Sequence, residues 1–355
     1  MSRVEAFNNI PPFPQDVPSI PLATLSLVKL ITGDASESTQ LFEACRETGF
    51  FLLDLRRCEQ GEDLLCHAQE MFEMNKEIHE LDSEELAKHA FNPPSDLFGY
   101  KRIGEMKLED GSPDRIEFYS LSQDDILGNS SPRKHPDLIQ RNRHRFVNFM
   151  QHANGVCCQV LAHLDRHLGL KPGTLASFSL QDQPSGTSLR MLKCLPKTVG
   201  SSERNLAGHT DMGSITMLFN VIGGLQILSS GNDNTEGTWR YVRPQPGCAL
   251  INLGDAMVQW SGGTLRSNMH RVVTSPGDQA RCTRFSVAYL VRPASMVSMR
   301  RVKQENGESI VSKAHDGEPE EEDICAKYWE RMRAIQIMKG ENRPESTGDQ
   351  RNVIQ

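Results

Sequence analysis

"SITMLFNVIGGLQIL", residues 214–228, is two short apolar runs parted by a pair of glycines. Short apolar runs bounded by turn residues read as strands, and here the Gly-Gly step supplies the turn between two of them. The same texture extends to both sides. Between about residue 175 and residue 295 come "SLRMLKCL", "WRYVRP", "CALINLG", "MVQWSG", "HRVVTS" and "RFSVAYLV", separated by Gly, Pro, Asn and Asp. Many short strands at this spacing predict an all-β sandwich or barrel.

Upstream the pattern is helical. Residues 1–20 are rich in Pro and form an extended lead-in. From Ser36 to Phe50 an apolar stripe of Leu41, Phe42 and Cys45 predicts a helix that Gly49 stops. "FFLLDL" then reads as a buried strand, residues 61–80 and 84–90 as helices, and residues 137–168 as the longest helix. Leu138, Phe146, Phe149, Val156, Val160, Leu161 and Leu164 form the apolar face of that helix. Downstream, "SKAHDGEPEEED" reads as a solvated loop, "ICAKYWERMRAIQIMKG" as an amphipathic helix and "ENRPESTGDQRNVIQ" as a disordered tail. The expected organisation is a largely helical region over 1–170, a β core over 171–300, and an acidic loop, helix and tail over 301–355. There are no internal repeats.

Composition narrows the function. The chain has 355 residues, 37% hydrophobic and 24% charged, which suits a soluble globular protein with a sizeable core. A net charge of −7 argues against a nucleic-acid or anionic-membrane binder. No run approaches a membrane span, and the N-terminus lacks the apolar region of a signal peptide. Nine cysteines without CxxC spacing, two of them adjacent (Cys157 and Cys158), predict reduced thiols in the cytoplasm.

The chemistry begins at "LAGHTDMG", where His209 and Asp211 stand two apart ahead of the first apolar run. Alone they could be an ordinary polar turn. His270 in "RSNMHRVV", at the start of a predicted strand, offers a third ligand. Two histidines and a carboxylate on one face of an octahedral ion leave open positions, as in non-haem Fe(II) oxygenases. The other nine histidines read as structural or solvated. Arg284 and Ser286 in "RFSVAYLV" are two apart, hence on one face of a strand. A core-facing arginine there needs an anionic partner, and its planar fork suits a carboxylate. If the alternation is shifted by one, that arginine faces outward instead.

"HTD" at 209–211, "HR" at 270–271 and "RFS" at 284–286 resemble the His-x-Asp…His and Arg-x-Ser signatures of Fe(II)/2-oxoglutarate-dependent dioxygenases, in their isopenicillin-N-synthase-like subgroup. "VPSIPLATL", "CRETGFFLL", "DRIEFYSLS", "GGLQIL" and "WRYVRPQPGCALINLGDAMVQWSGG" follow the family order, with the flavour of fungal biosynthetic members. The resemblance implies a double-stranded β-helix (jelly-roll) core. It also implies iron on His209, Asp211 and His270, and the distal carboxylate of 2-oxoglutarate on Arg284 and Ser286. The implied reaction consumes O2, decarboxylates 2-oxoglutarate to succinate and removes a hydrogen from a small-molecule substrate, aromatic or polyketide-derived. The apolar "SITMLF" would be the strand that carries the ligands to the barrel mouth.

One departure from the family stands out. Where members carry a tyrosine that supports the cosubstrate, "SLRMLKCLPK" offers Cys194, or Leu195 if the proline is aligned. The same strand places Arg190, Leu192 and Cys194 on one face. Arg190 there pairs with an anionic or phenolate-bearing substrate, or else lies outside on a loop carboxylate. Phe118 and Tyr119 in "EFYSL" are candidates to wall the pocket, whereas Asn252 and Asp255 in "INLGD" read as turn and strand-end structure. Competing readings are an iron oxidase of the same fold without 2-oxoglutarate, a non-catalytic jelly-roll binding protein, and a zinc hydrolase.

Overall fold

The computed structural model describes residues 10–108, 110–197, 203–229, 239–310 and 323–338. The first part of the lead-in, the loop at 311–322 and the tail lie outside the described residues.

Strand β1 (Thr24–Ser26) leads through α1 (Leu27–Ile31) and α2 (Ala35–Glu47) to β2 (Phe50–Asp54). Asp34 starts α2, its carboxylate accepting from the Glu37 amide, and Gly49 closes the passage with φ +69°. A Cβ at Gly49 would meet the Arg266 carbonyl oxygen at 2.2 Å, so only glycine fits there. Next come α3 (Glu59–Ile78), α4 (Ser83–Ala87), β3 (Gly99–Lys101), β4 (Ile116–Ser122) and α5 (Gln123–Leu127). The predicted long helix is two, α6 (Asp137–Arg141) and α7 (Arg143–His167), with α8 (Thr174–Ser177) after them. The break falls at Asn142, whose side-chain amide turns back onto the Leu138 carbonyl and competes with the helical ladder.

The β core follows as β5 (Ser188–Cys194), β6 (Arg204–His209), β7 (Ile215–Asn220), β8 (Leu225–Leu228), β9 (Trp239–Tyr241), β10 (Cys248–Leu253), β11 (His270–Val273) and β12 (Arg284–Val291). "MVQWSG" departs from expectation: it belongs to α9 (Asp255–Trp260). Ala256, Met257 and Trp260 are its buried apolar residues, a helical spacing that a run of this length shares with a strand. The last helix, α10, spans Ala326–Met338.

Two sheets face each other. The larger runs β1-β2-β10-β7-β12-β5-β4-β3 and the smaller β6-β11-β8-β9. Four strands of the larger sheet therefore come from the region before residue 170. Both faces of the larger sheet are covered. On β12, Val287, Tyr289 and Val291 join the apolar cluster formed with α3 and α7, while Arg284 and Ser286 alternate toward the smaller sheet. Phe149 of α7 meets Phe219 and Tyr289 edge-on at 6.0 and 6.4 Å. Each such buried side chain contributes roughly 1.5–3 kcal/mol of apolar burial. A second, smaller cluster lies between the sheets and contains Phe50, Leu52, Phe118, Cys194, Ile227 and Leu250. The helices thus carry the stability, and the inter-sheet space is left to polar groups at its mouth.

Candidate metal centre

His209 ends β6 and His270 begins β11, and the antiparallel ladder sets them opposite each other. Their rings lie 4.3 Å apart. Asp211 sits in the turn between β6 and β7. The ligand atoms of the three residues lie within 4.8 Å of one another, the one convergence of this kind among the described residues. "SITMLF" does not carry the ligands, as the sequence suggested: β7 begins after Asp211, and the ligands ride on β6, the turn and β11.

The hydrogen bonds orient every ligand. His209 Nδ1 faces the Ala207 carbonyl at 3.0 Å and His270 Nδ1 faces the Asn268 carbonyl at 3.1 Å. A ring nitrogen facing a carbonyl carries the proton, which leaves the Nε2 lone pairs free. Those Nε2 atoms lie 3.9 and 3.8 Å from Asp211 Oδ1. The other carboxylate oxygen, Oδ2, accepts from Thr216 Oγ1 at 2.7 Å and Asn252 Nδ2 at 2.8 Å. Thr216 and Asn252 are themselves opposite partners on β7 and β10. Asp211 is therefore clamped at one oxygen and presents the other to the two imidazoles.

Charge states agree with this geometry. Burial pushes His209 down to about 4, helped by the neighbouring His270. Burial alone would raise Asp211, but His270, His209 and the bonds from Asn252 and Thr216 hold it at about 2. At neutral pH His209 is thus neutral and Asp211 ionised, the forms that bind a divalent metal. Two imidazoles with a carboxylate fit iron.

Arg284 faces the space between the sheets. Its Nε donates to the Gly223 carbonyl at 3.0 Å and its Nη1 to Ser286 Oγ at 3.0 Å. Cys194 is its opposite partner on β5, and the guanidinium also meets that thiol. Cys194 is 2% exposed and Leu195 45%, so the cysteine holds the interior position where the resemblance calls for a tyrosine. Buried Lys101 is ion-paired with Asp114 and donates to the Ile116 carbonyl at 2.7 Å, so that pair brings no net charge.

Arg190 lies on the same face of β5, its guanidinium 4.3 Å from the centre of the Phe118 ring. Its Nε is buried with no hydrogen-bond partner, while the side chain keeps some accessible area. Burial, with Arg292 nearby, lowers its pKa to about 10. Alternation splits the two aromatic candidates. Phe118 packs between the sheets, whereas Tyr119 points to the helices and bonds His135 Nδ1 at 2.9 Å. Tyr119 does not wall the site.

Sequence reasoning missed Thr216 and gave Asn252 a turn role. The available signal was a polar residue at an inward position of an apolar strand, which must find a buried partner. Asp255 is more than strand-end structure as well, since it bonds Thr210 between the two ligands of the turn.

Known proteins resemble this one along most of its length. Residues 156–293 match the 2OG-Fe(II) oxygenase superfamily, and residues 17–149 match the N-terminal region described as non-haem dioxygenase in morphine synthesis. A 2-oxoglutarate-dependent dioxygenase of Aspergillus fumigatus is 32% identical over 81% of this chain and 80% of its own. The 2-oxoglutarate-dependent dioxygenase frbH of a Dothideomycetidae species is 30% identical over 90% and 95%. A full-length Neurospora crassa protein, solved in complex with alpha-KG, superposes with a TM-score of 0.73 at 21% identity, covering 91% of this chain and 98% of that one. The last likeness establishes the jelly-roll fold. The Aspergillus and Dothideomycetidae relatives are both named for 2-oxoglutarate dependence, which disfavours an oxidase that dispenses with it and a non-catalytic binding protein.

Proposed function

The chain belongs to the 2OG-Fe(II) oxygenase superfamily, and on that premise we propose how its residues divide the work. His209, Asp211 and His270 bind the iron, Arg284 and Ser286 hold the distal carboxylate of 2-oxoglutarate, and Arg190 meets the substrate. The enzyme is an iron- and 2-oxoglutarate-dependent dioxygenase, an oxidoreductase that uses O2. The observation supporting the metal assignment is the convergence of two free Nε2 atoms on one oxygen of a clamped carboxylate.

Iron, 2-oxoglutarate and O2 together supply the oxidising power and yield succinate and CO2. The chain's own residues position and shield. Thr216 and Asn252 keep Asp211 turned toward the histidines. Arg284 offers a charged fork to a carboxylate in a dry site, where such a pair is stronger than in water. Phe118, Leu192 and Leu218 line the interior with apolar surface that excludes water.

The substrate we infer is a small organic anion, a carboxylate or phenolate, with aromatic or polyketide-like character. Iron and the two arginines outweigh Asp211 and the doubly charged cosubstrate by one positive charge. Arg190, buried at Nε without a partner, is where that charge sits. Phe118 beside it suits a flat ring. The fungal relatives support a place in fungal secondary metabolism, with hydroxylation or a related oxidative rearrangement as outcome. The nine free thiols suit the reducing cytoplasm, and no helix among the described residues is long and apolar enough to cross a membrane.

Succinate release across matched anionic and neutral aromatic compounds tests this reading. Anionic compounds should stimulate release, and Arg190→Leu should cut their turnover by roughly ten- to a hundredfold, the worth of a charged hydrogen bond. Affinity for 2-oxoglutarate should stay within about twofold. Equal loss of substrate turnover and cosubstrate affinity would contradict the role given to Arg190.

A further inference from the structure

Helix α10 reaches the metal-binding turn from far along the chain. Arg333 projects from it, 15% exposed at its side chain, and donates through Nη2 to Asp255 Oδ2. Asp255 is 4% exposed and lies at the start of α9. The same Oδ2 accepts from the Thr210 hydroxyl at 3.1 Å. Thr210 stands between His209 and Asp211 and is itself buried.

The backbone repeats this connection. The Asp255 amide donates to the Asp211 carbonyl at 2.7 Å, and the Ala256 amide to the Gly213 carbonyl at 3.2 Å. The approach is so close that a Cβ on Gly254 would stand 2.2 Å from the Gly213 carbonyl oxygen and 2.8 Å from that of Asp211. Asp255 therefore holds the turn by side chain and main chain together. Removing the guanidinium would leave the buried carboxylate without its partner on α10 and free to turn away from Thr210.

The rest of α10 is docked independently of Asp255. Glu330 pairs with Arg292 at 3.4 Å, and the Ala326 and Lys327 amides donate to the Val297 and Ser295 carbonyls. Ala334 is buried on the same helix. Arg333 is not required merely to seat the helix.

We propose that Arg333 is a positioning residue for the metal centre, acting through Asp255 to fix the turn that presents His209 and Asp211. Metal affinity then depends on a helix remote from the ligands in sequence. The inference rests on the metal assignment made above.

Titration of the full chain with Co(II) alone, followed by visible absorption, tests it without turnover. Parent enzyme should bind one Co(II). Arg333→Met should weaken binding roughly tenfold, as expected for a group that orients a ligand through its neighbour. Arg333→Lys should recover most of the loss. Ala334→Gly should lower the melting temperature and leave Co(II) affinity unchanged, because it loosens the helix without touching Asp255. Unchanged affinity in Arg333→Met, or parallel weakening in Arg333→Met and Ala334→Gly, would overturn the proposal. If Arg333→Met fails to fold, Thr210→Val deletes only the hydroxyl that Asp255 holds; weaker Co(II) binding supports the proposal, and unchanged binding overturns it. A parent enzyme that binds no Co(II) would instead overturn the metal assignment beneath it.

Discussion

Asp211 shows how few atoms decide the site. One oxygen faces two imidazoles and the other is held by Thr216 and Asn252. Asn252→Ala would leave Oδ2 with a single donor and let the carboxylate rotate. We expect Co(II) affinity to fall about 10- to 100-fold and stability by about 1–2 kcal/mol; titration and denaturant unfolding measure the two separately. Unaltered affinity would mean that Thr216 suffices. The convergence of His209, Asp211 and His270, and the shared face of Arg284 and Ser286, could be read from the sequence because each pattern is short and chemically unusual; the roles given to these residues are those proposed above. Asn252 and Thr216 were not, because their role exists only once β7 and β10 lie side by side. Arg190 was half legible. Alternation gave its face, but only the finished barrel shows that its Nε has no partner there.

At the scale of elements, a buried polar node joins three helices. His163 of α7 meets Ser38 of α2 through Nδ1 at 2.8 Å and the Leu30 carbonyl of α1 through Nε2 at 3.1 Å. Ser38 also meets His167 Nε2 at 2.9 Å. Burial lowers the pKa of His163 below its ordinary value near 6.5. The unfolded chain therefore binds more protons than the folded one between the two values, and stability rises with pH across that window. It should be unimpaired above about pH 6.5 and decline as the pH falls toward the folded value. Melting curves from pH 8 to 5 would show a decline that His163→Gln flattens; an identical slope in the variant would remove the node from the account. Periodicity made α2, α3 and α7 readable, since their apolar stripes face one core. It failed at α9, where six residues are too few to separate helix from strand.

Across the whole molecule, strands from before residue 170 pair with strands that follow it. β4 pairs with β5 along its full length, from Ile116 opposite Cys194 to Ser122 opposite Ser188, and β2 pairs with β10. Residues 171–355 alone would expose both of those strand edges and the apolar face that α3 and α7 cover. We propose that the helical region and the β core fold as one body. The truncated chain should show no cooperative unfolding and no Co(II) binding; a truncated chain that does both would restore the two-part organisation. The sequence disclosed most strands of the β core, though it passed over β3 and β6 and took α9 for a strand; it held no strand order, because pairing across tens of residues leaves no local pattern.

The most direct test of the account is an anaerobic titration of the full enzyme with Fe(II) and 2-oxoglutarate, followed in the visible. The site described here predicts a weak charge-transfer band that saturates at one iron and one cosubstrate per chain. Arg284→Ala should need far more 2-oxoglutarate to reach it, and Asp211→Ala should never develop it. Iron bound to the parent without a band at any 2-oxoglutarate concentration, or a band that persists in Asp211→Ala, would contradict the account.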